Sequence, residues 1–71
     1  MSPTHINLND LAIFEEVIRA GGFSAAARKL SQPKASVSRA VQRLENDLTV
    51  RLIQRTTRSL RLTEAGELLY L

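Results

Sequence analysis

With 71 residues and a formal net charge of +3, the chain is long enough for one small domain, and domains of this size bury a modest core and often lean on a partner. It has no cysteine, which excludes a disulfide framework and a thiolate metal centre and leaves apolar burial to hold the fold. Residues 1–7 lack a basic stretch followed by an apolar run, and no segment approaches the roughly 18 apolar residues that span a bilayer, so a soluble, cytoplasmic protein without membrane association is expected.

Residues 1–6 read as a flexible tail, and His5 belongs to it. Asn7 is a good N-cap for the first helix, with Asp10 at the third helical position to complement the free amides. Leu8, Leu11, Phe14 and Ile18 recur at spacings of three and four, which predicts the buried stripe, with Asp10, Glu15 and Arg19 pointing elsewhere. Gly21-Gly22 ends this helix, since either glycine takes a left-handed conformation at little steric cost. Ser24 is the next N-cap candidate, opening a short helix from Ala25 to Leu30 with Phe23 packed just outside it. Its three alanines let a crossing helix approach closely, as a two-helix corner requires; they equally just favour helix. Ser31-Gln32-Pro33 breaks the run, because proline lacks an amide hydrogen and steers its predecessor away from the helical region, yet it tolerates a helix start.

A third helix is predicted from about Lys34 to Asp47, with Val37, Val41, Leu44 and Leu48 as its buried stripe. Ala35, Arg39, Gln42, Arg43 and Asn46 lie across from that stripe, with Ser36 and Ser38 on the shoulders. These residues hydrogen-bond or carry positive charge, and none in the first half is bulky or acidic, so the face suits a groove walled by phosphates. An ordinary solvated helix face has the same composition. Arg51-Leu52-Ile53-Gln54 and Ser59-Leu60-Arg61-Leu62 then read as two short strands joined by Arg55-Thr56-Thr57-Arg58, a hairpin with an arginine-tipped loop. Thr63 caps a last helix that ends in Leu68, Leu69, Tyr70 and Leu71. That apolar cluster either packs on the core or seeks another subunit.

Charge is unevenly placed along these elements. From Arg28 to Arg61 there are nine basic residues against Glu45 and Asp47, or +7, whereas residues 1–27 and 62–71 each carry −2. A positive middle between negative ends suits a molecule that presents one face to a polyanion.

The order helix, small-residue helix, turn, polar-faced helix, hairpin, helix is that of a winged helix-turn-helix: mainly α, with a three-helix core and a two-stranded wing. The residues go further. Gly21-Gly22-Phe23-Ser24-Ala25-Ala26-Ala27-Arg28-Lys29-Leu30, Val37-Ser38-Arg39 with Leu44-Glu45, Arg55-Thr56-Thr57-Arg58 and Leu62-Thr63-Glu64-Ala65-Gly66 resemble, in sequence and spacing, the amino-terminal domain of LysR-type transcriptional regulators. The resemblance covers residues 7–71. It implies a DNA-binding domain over 7–62, with the helix-turn-helix at about 21–40 and the wing at about 51–62, followed by the start of a linker helix over 63–71.

Further implications concern the site. Ser24, Lys34, Ala35, Ser36, Ser38, Arg39, Gln42 and Arg43 are the candidate DNA contacts of the helix-turn-helix, the middle ones facing base edges and adjacent phosphates. Arg55, Thr57, Arg58 and Arg61 are those of the wing, and Leu68, Leu69, Tyr70 and Leu71 those of subunit pairing. The implied partner is double-stranded DNA, bound by a homodimer, or by a tetramer where a full-length regulator is formed. Many family members have Ser-Gln-Pro-Ala-Leu-Ser-Arg where this chain has Pro33 to Arg39, so Lys34 replaces a glutamine. The lysine gains charge and loses an amide able to read adenine bidentately. The family's effector domain, and with it any small-molecule effector site, is expected to be absent from this chain.

Other function classes fit less well. A protein-interaction module could dock an acidic partner on the same helix face, and salt-dependent titration with duplex DNA separates the two. RNA recognition lacks exposed aromatics for stacking, as Phe14 and Phe23 look buried. No cluster of side chains suggests a nucleophile, general base, metal or cofactor site, so no enzyme is expected.

Overall fold

The computed structural model describes residues 6–54 and 60–70. The elements in chain order are α1 (Leu8–Ala20), α2 (Phe23–Leu30), α3 (Lys34–Leu48), β1 (Ile53–Gln54), β2 (Arg61–Leu62) and α4 (Glu64–Tyr70). The wing-loop candidates Arg55, Thr57 and Arg58, together with His5 and Leu71, lie outside the described residues.

Local chemistry sets the helix ends. The Asn7 side chain accepts hydrogen bonds from the amides of Asn9 (2.8 Å) and Asp10 (3.3 Å), satisfying donors that have no partner within α1. Gly21 closes α1 in the left-handed conformation at φ 91°, and the Gly22 amide reaches back to the Val17 carbonyl at 3.0 Å. The expected cap at Ser24 is overturned. The second helix begins at Phe23, its cap residue is Gly22 with no side-chain hydrogen bond, and Ser24 lies exposed in the first turn. Ser31 then adopts φ 56° to end α2, and Pro33, extended at φ −61°, caps α3.

The three helices pack pairwise around Ile13, Phe14 and Val17 of α1, Ala26 and Ala27 of α2, and Val37, Ala40, Val41 and Leu44 of α3. Ala26 and Ala27 stand where α2 meets its neighbours, in agreement with the close approach that small side chains permit. The apolar stripe of α1 differs from the expected one. Phe14 is fully buried, Leu11 and Ile18 flank the core, and Leu8 is 76% exposed. Each spacing of three falls about 60° short of a full turn on a 3.6-residue helix, so Leu8 has rotated away from the face that Phe14 shares with Asp10, Ile13 and Val17. Asp10, expected to point elsewhere, is 1% exposed.

In the hairpin Ile53 pairs with Leu62 and Gln54 with Arg61, antiparallel. Leu52 and Ile53 are buried and close the open end of the helical core. The first strand begins at Ile53 and not at Arg51 as its sequence suggests, and the amides of Leu52 and Ile53 are taken by a side chain of α3. Thr63 caps α4 as expected, its hydroxyl oxygen accepting from the Gly66 amide at 3.0 Å.

Candidate nucleic-acid interface

The exposed side of α3 is the surface singled out above. Lys34, Ala35, Arg39, Gln42, Arg43 and Asn46 are exposed, and Ser36 and Ser38 are half-buried on its shoulders. Val37, Ala40, Val41 and Leu44 pin the opposite side into the core, so the orientation of the helix is fixed by packing. Among the described residues, no hydrogen bond or ion pair engages the side chains of Lys34, Ser36, Ser38, Arg39 or Gln42. The amino-terminal half of α3 therefore offers donors and positive charge that the fold does not consume.

Arg43 is different. Its Nε donates to Asp10 Oδ2 at 3.0 Å and its Nη2 to Oδ1 at 2.8 Å, a bidentate pair across α1 and α3. Hydrogen bonding to Asp10, reinforced by the aspartate charge, raises the guanidinium above its ordinary pKa. The pair supplies what a carboxylate removed from water requires, since a buried charge persists only when paired and hydrogen-bonded. Of the arginines on this face, Arg39 is thus available, whereas Arg43 is held by the fold with half of its side chain still in water.

A concavity gathers the start of α2, the start of α3 and the hairpin. Ser24, Arg28, Lys34, Gln54 and Leu60 are among its lining residues. Three of these, Arg28, Gln54 and Leu60, are not among the candidates that the sequence offers. The signal for Gln54 is its place opposite Arg61 in the hairpin, which puts the two exposed polar side chains side by side at the strand ends. Ser24 and Lys34 are brought together here, while Gln42 sits more than two turns farther along α3.

The apolar end of α4 divides. Leu68 is 70% exposed and Tyr70 38% exposed, but Leu69 is partly buried against the core together with Ala65. Among the described residues no group of three or more His, Cys, Asp or Glu could hold a metal, and no helix is long and apolar enough to cross a membrane.

Residues 8–67 match the family described as bacterial regulatory helix-turn-helix protein, lysR family. An HTH-type transcriptional regulator of Xanthomonas campestris pv. campestris is 56% identical over 63 residues, 89% of this chain and 18% of the relative. The probable HTH-type transcriptional regulator LtrA of Klebsiella pneumoniae is 48% identical over 68 residues, 92% of this chain and 22% of the relative. The chain thus spans about a fifth of the length of the curated relatives it matches. Among solved structures, the full-length virulence activator AphB of Vibrio cholerae superposes with a TM-score of 0.87 at 40% identity, covering 92% of this chain and 22% of AphB. The DNA-binding domain of BenM, crystallised with catB site 1 DNA, superposes with a TM-score of 0.86 at 32% identity, covering 92% of this chain and 72% of that one.

Proposed function

Because the chain belongs to the lysR family of bacterial regulatory helix-turn-helix proteins, we propose that it binds double-stranded DNA sequence-specifically and thereby regulates transcription. The observation that carries this reading is the amino-terminal half of α3, where Lys34, Ser36, Ser38 and Arg39 remain unengaged among the described residues on a helix locked in place from behind. The likeness to the BenM domain crystallised with DNA supports it.

An α-helix fits the major groove of B-DNA, about 12 Å wide. Arg39 can present two donors to the acceptor edge of a guanine, and Lys34, Ser36 and Ser38 can hydrogen-bond bases or neighbouring phosphates. Ala35, the smallest side chain of the exposed row, lets the helix approach the base edges. Ser24, Gln42 and Arg61 stand at the margins, where contacts to phosphate set register and carry no base preference. Arg43 would add a phosphate contact through the edge of its guanidinium that Asp10 leaves open. The working unit is a homodimer, with residues 7–62 contacting DNA and residues 63–71 beginning the helix that pairs two subunits through Leu68 and Tyr70. It acts in the bacterial cytoplasm, where its DNA lies, as a binding module and not as a catalyst.

Selection of bound fragments from a random-duplex library defines the site, after which the parent chain and Arg39→Ala are titrated with the selected duplex and a scrambled one at two salt concentrations. Arg39→Ala is expected to lose about 1–3 kcal/mol on the selected duplex and clearly less on the scrambled one. Failure to enrich any duplex, or binding indifferent to salt, would overturn the proposal in favour of a protein-docking module.

A further inference from the structure

Residues 51–53 connect three elements of the fold. Leu52 and Ile53 are buried, yet Arg51 and Leu52 precede the ladder that begins at Ile53 and Leu62, so the backbone there must find partners outside the sheet. The amides of Leu52 and Ile53 both donate to Glu45 Oε2, at 2.8 and 3.2 Å, from the carboxyl-terminal part of α3. On the other side, the Arg51 carbonyl accepts from the Thr63 hydroxyl, and the Leu52 carbonyl accepts from the Thr63 amide at 2.9 Å. Thr63 in turn caps α4 through the Gly66 amide. A continuous path of hydrogen bonds therefore runs from α3 through three backbone residues to the first turn of α4. Gly66 tightens the junction, because a Cβ there would collide with the Leu52 carbonyl oxygen.

We propose that Glu45 is a positioning residue for DNA recognition: through residues 51–53 and Thr63 it fixes the angle between α3 and α4, and so the separation at which two copies present their recognition helices. The inference rests on the dimer proposed above. At one end of the path is the helix that enters the groove, and at the other the helix whose exposed Leu68 and Tyr70 a second copy would cover. Changing the angle between them moves one half-site against the other. One base pair of separation amounts to about 3.4 Å along the duplex and roughly a tenth of a turn, so a small rotation changes which operator fits. Glu45 is 8% exposed, and a carboxylate buried to that degree is costly unless its hydrogen bonds are made. Burying one at this junction joins the two helices with a side chain that two amides hold in place.

The test uses duplexes carrying two copies of the selected half-site, their separation altered by one or two base pairs in either direction, and a duplex with a single half-site. The parent, Glu45→Ala, Thr63→Val and Thr63→Ser chains are titrated with each. The parent is expected to prefer one separation by about tenfold, and Glu45→Ala and Thr63→Val by less than about threefold, with base preferences inside a single half-site retained. Thr63→Ser restores the parent profile. Thr63→Val exchanges the hydroxyl for a methyl group and keeps the backbone bond to Leu52, so it carries the test where Glu45→Ala fails to fold. An unchanged separation profile in Thr63→Val, with affinity lowered evenly, overturns the inference. A parent indifferent to separation overturns the dimer proposal instead, and the inference falls with it.

Discussion

The two halves of α3 use the same kinds of side chain for opposite ends. From Lys34 to Arg39 the exposed polar groups make no hydrogen bond or ion pair among the described residues, whereas Arg43 and Glu45 turn their charges inward, to Asp10 on α1 and to the amides of Leu52 and Ile53. One half is left free to meet a ligand, and the other secures the helix to what surrounds it. Exposure on one face of a helix therefore does not by itself leave an arginine free of the fold. What decides its part is whether an acidic group of the fold reaches it first.

That contrast can be strained in order of expected effect. Leu44→Ala cuts into the buried side that holds both halves in place, and is expected to lower unfolding free energy by about 2–5 kcal/mol, read from denaturant titration. Arg43→Ala comes next: it strands the 1%-exposed Asp10 carboxylate without its partner, so thermal unfolding should begin several degrees earlier. An unchanged melting curve would show that the carboxylate finds another partner. Arg39→Ala is the smallest, within about 0.5 kcal/mol of the parent in stability because Arg39 makes no hydrogen bond or ion pair among the described residues. A clear destabilisation would mean that Arg39 belongs with Arg43.

Much of the architecture was legible in the chain. Asn7, Gly21, Pro33 and Thr63 each act through their own backbone neighbourhood, and each stands at or beside the helix end that its chemistry favours. The exposed row Ala35, Arg39, Gln42, Arg43 and Asn46 also follows from helical period alone. Leu8 departs from the expected stripe through the helical period itself, whereas the other errors come from dependence on partners distant in sequence. Asp10 and Arg43 are 33 residues apart, so nothing local showed that the aspartate would be buried or the arginine occupied. Glu45 was counted as an acidic exception within a basic stretch, although its charge is spent on the hairpin. Ser24 does not act as a cap because Phe23, partly buried against the core, starts the helix two residues earlier than Ala25. At the end of α4 core packing holds for Leu69, which is partly buried, whereas Leu68 is turned to water.

Gly66 shows how a missing atom can define a shape. Its single hydrogen is what allows the final helix to rest on the peptide that leads into the wing, with Leu62 closing in from the side. Any larger residue would act as a wedge there, lifting that helix from its seat and tilting the hairpin while the three-helix core stayed whole. Tolerance to a larger side chain is thus narrow at Gly66, whereas a Cβ added at Gly22 would meet nothing.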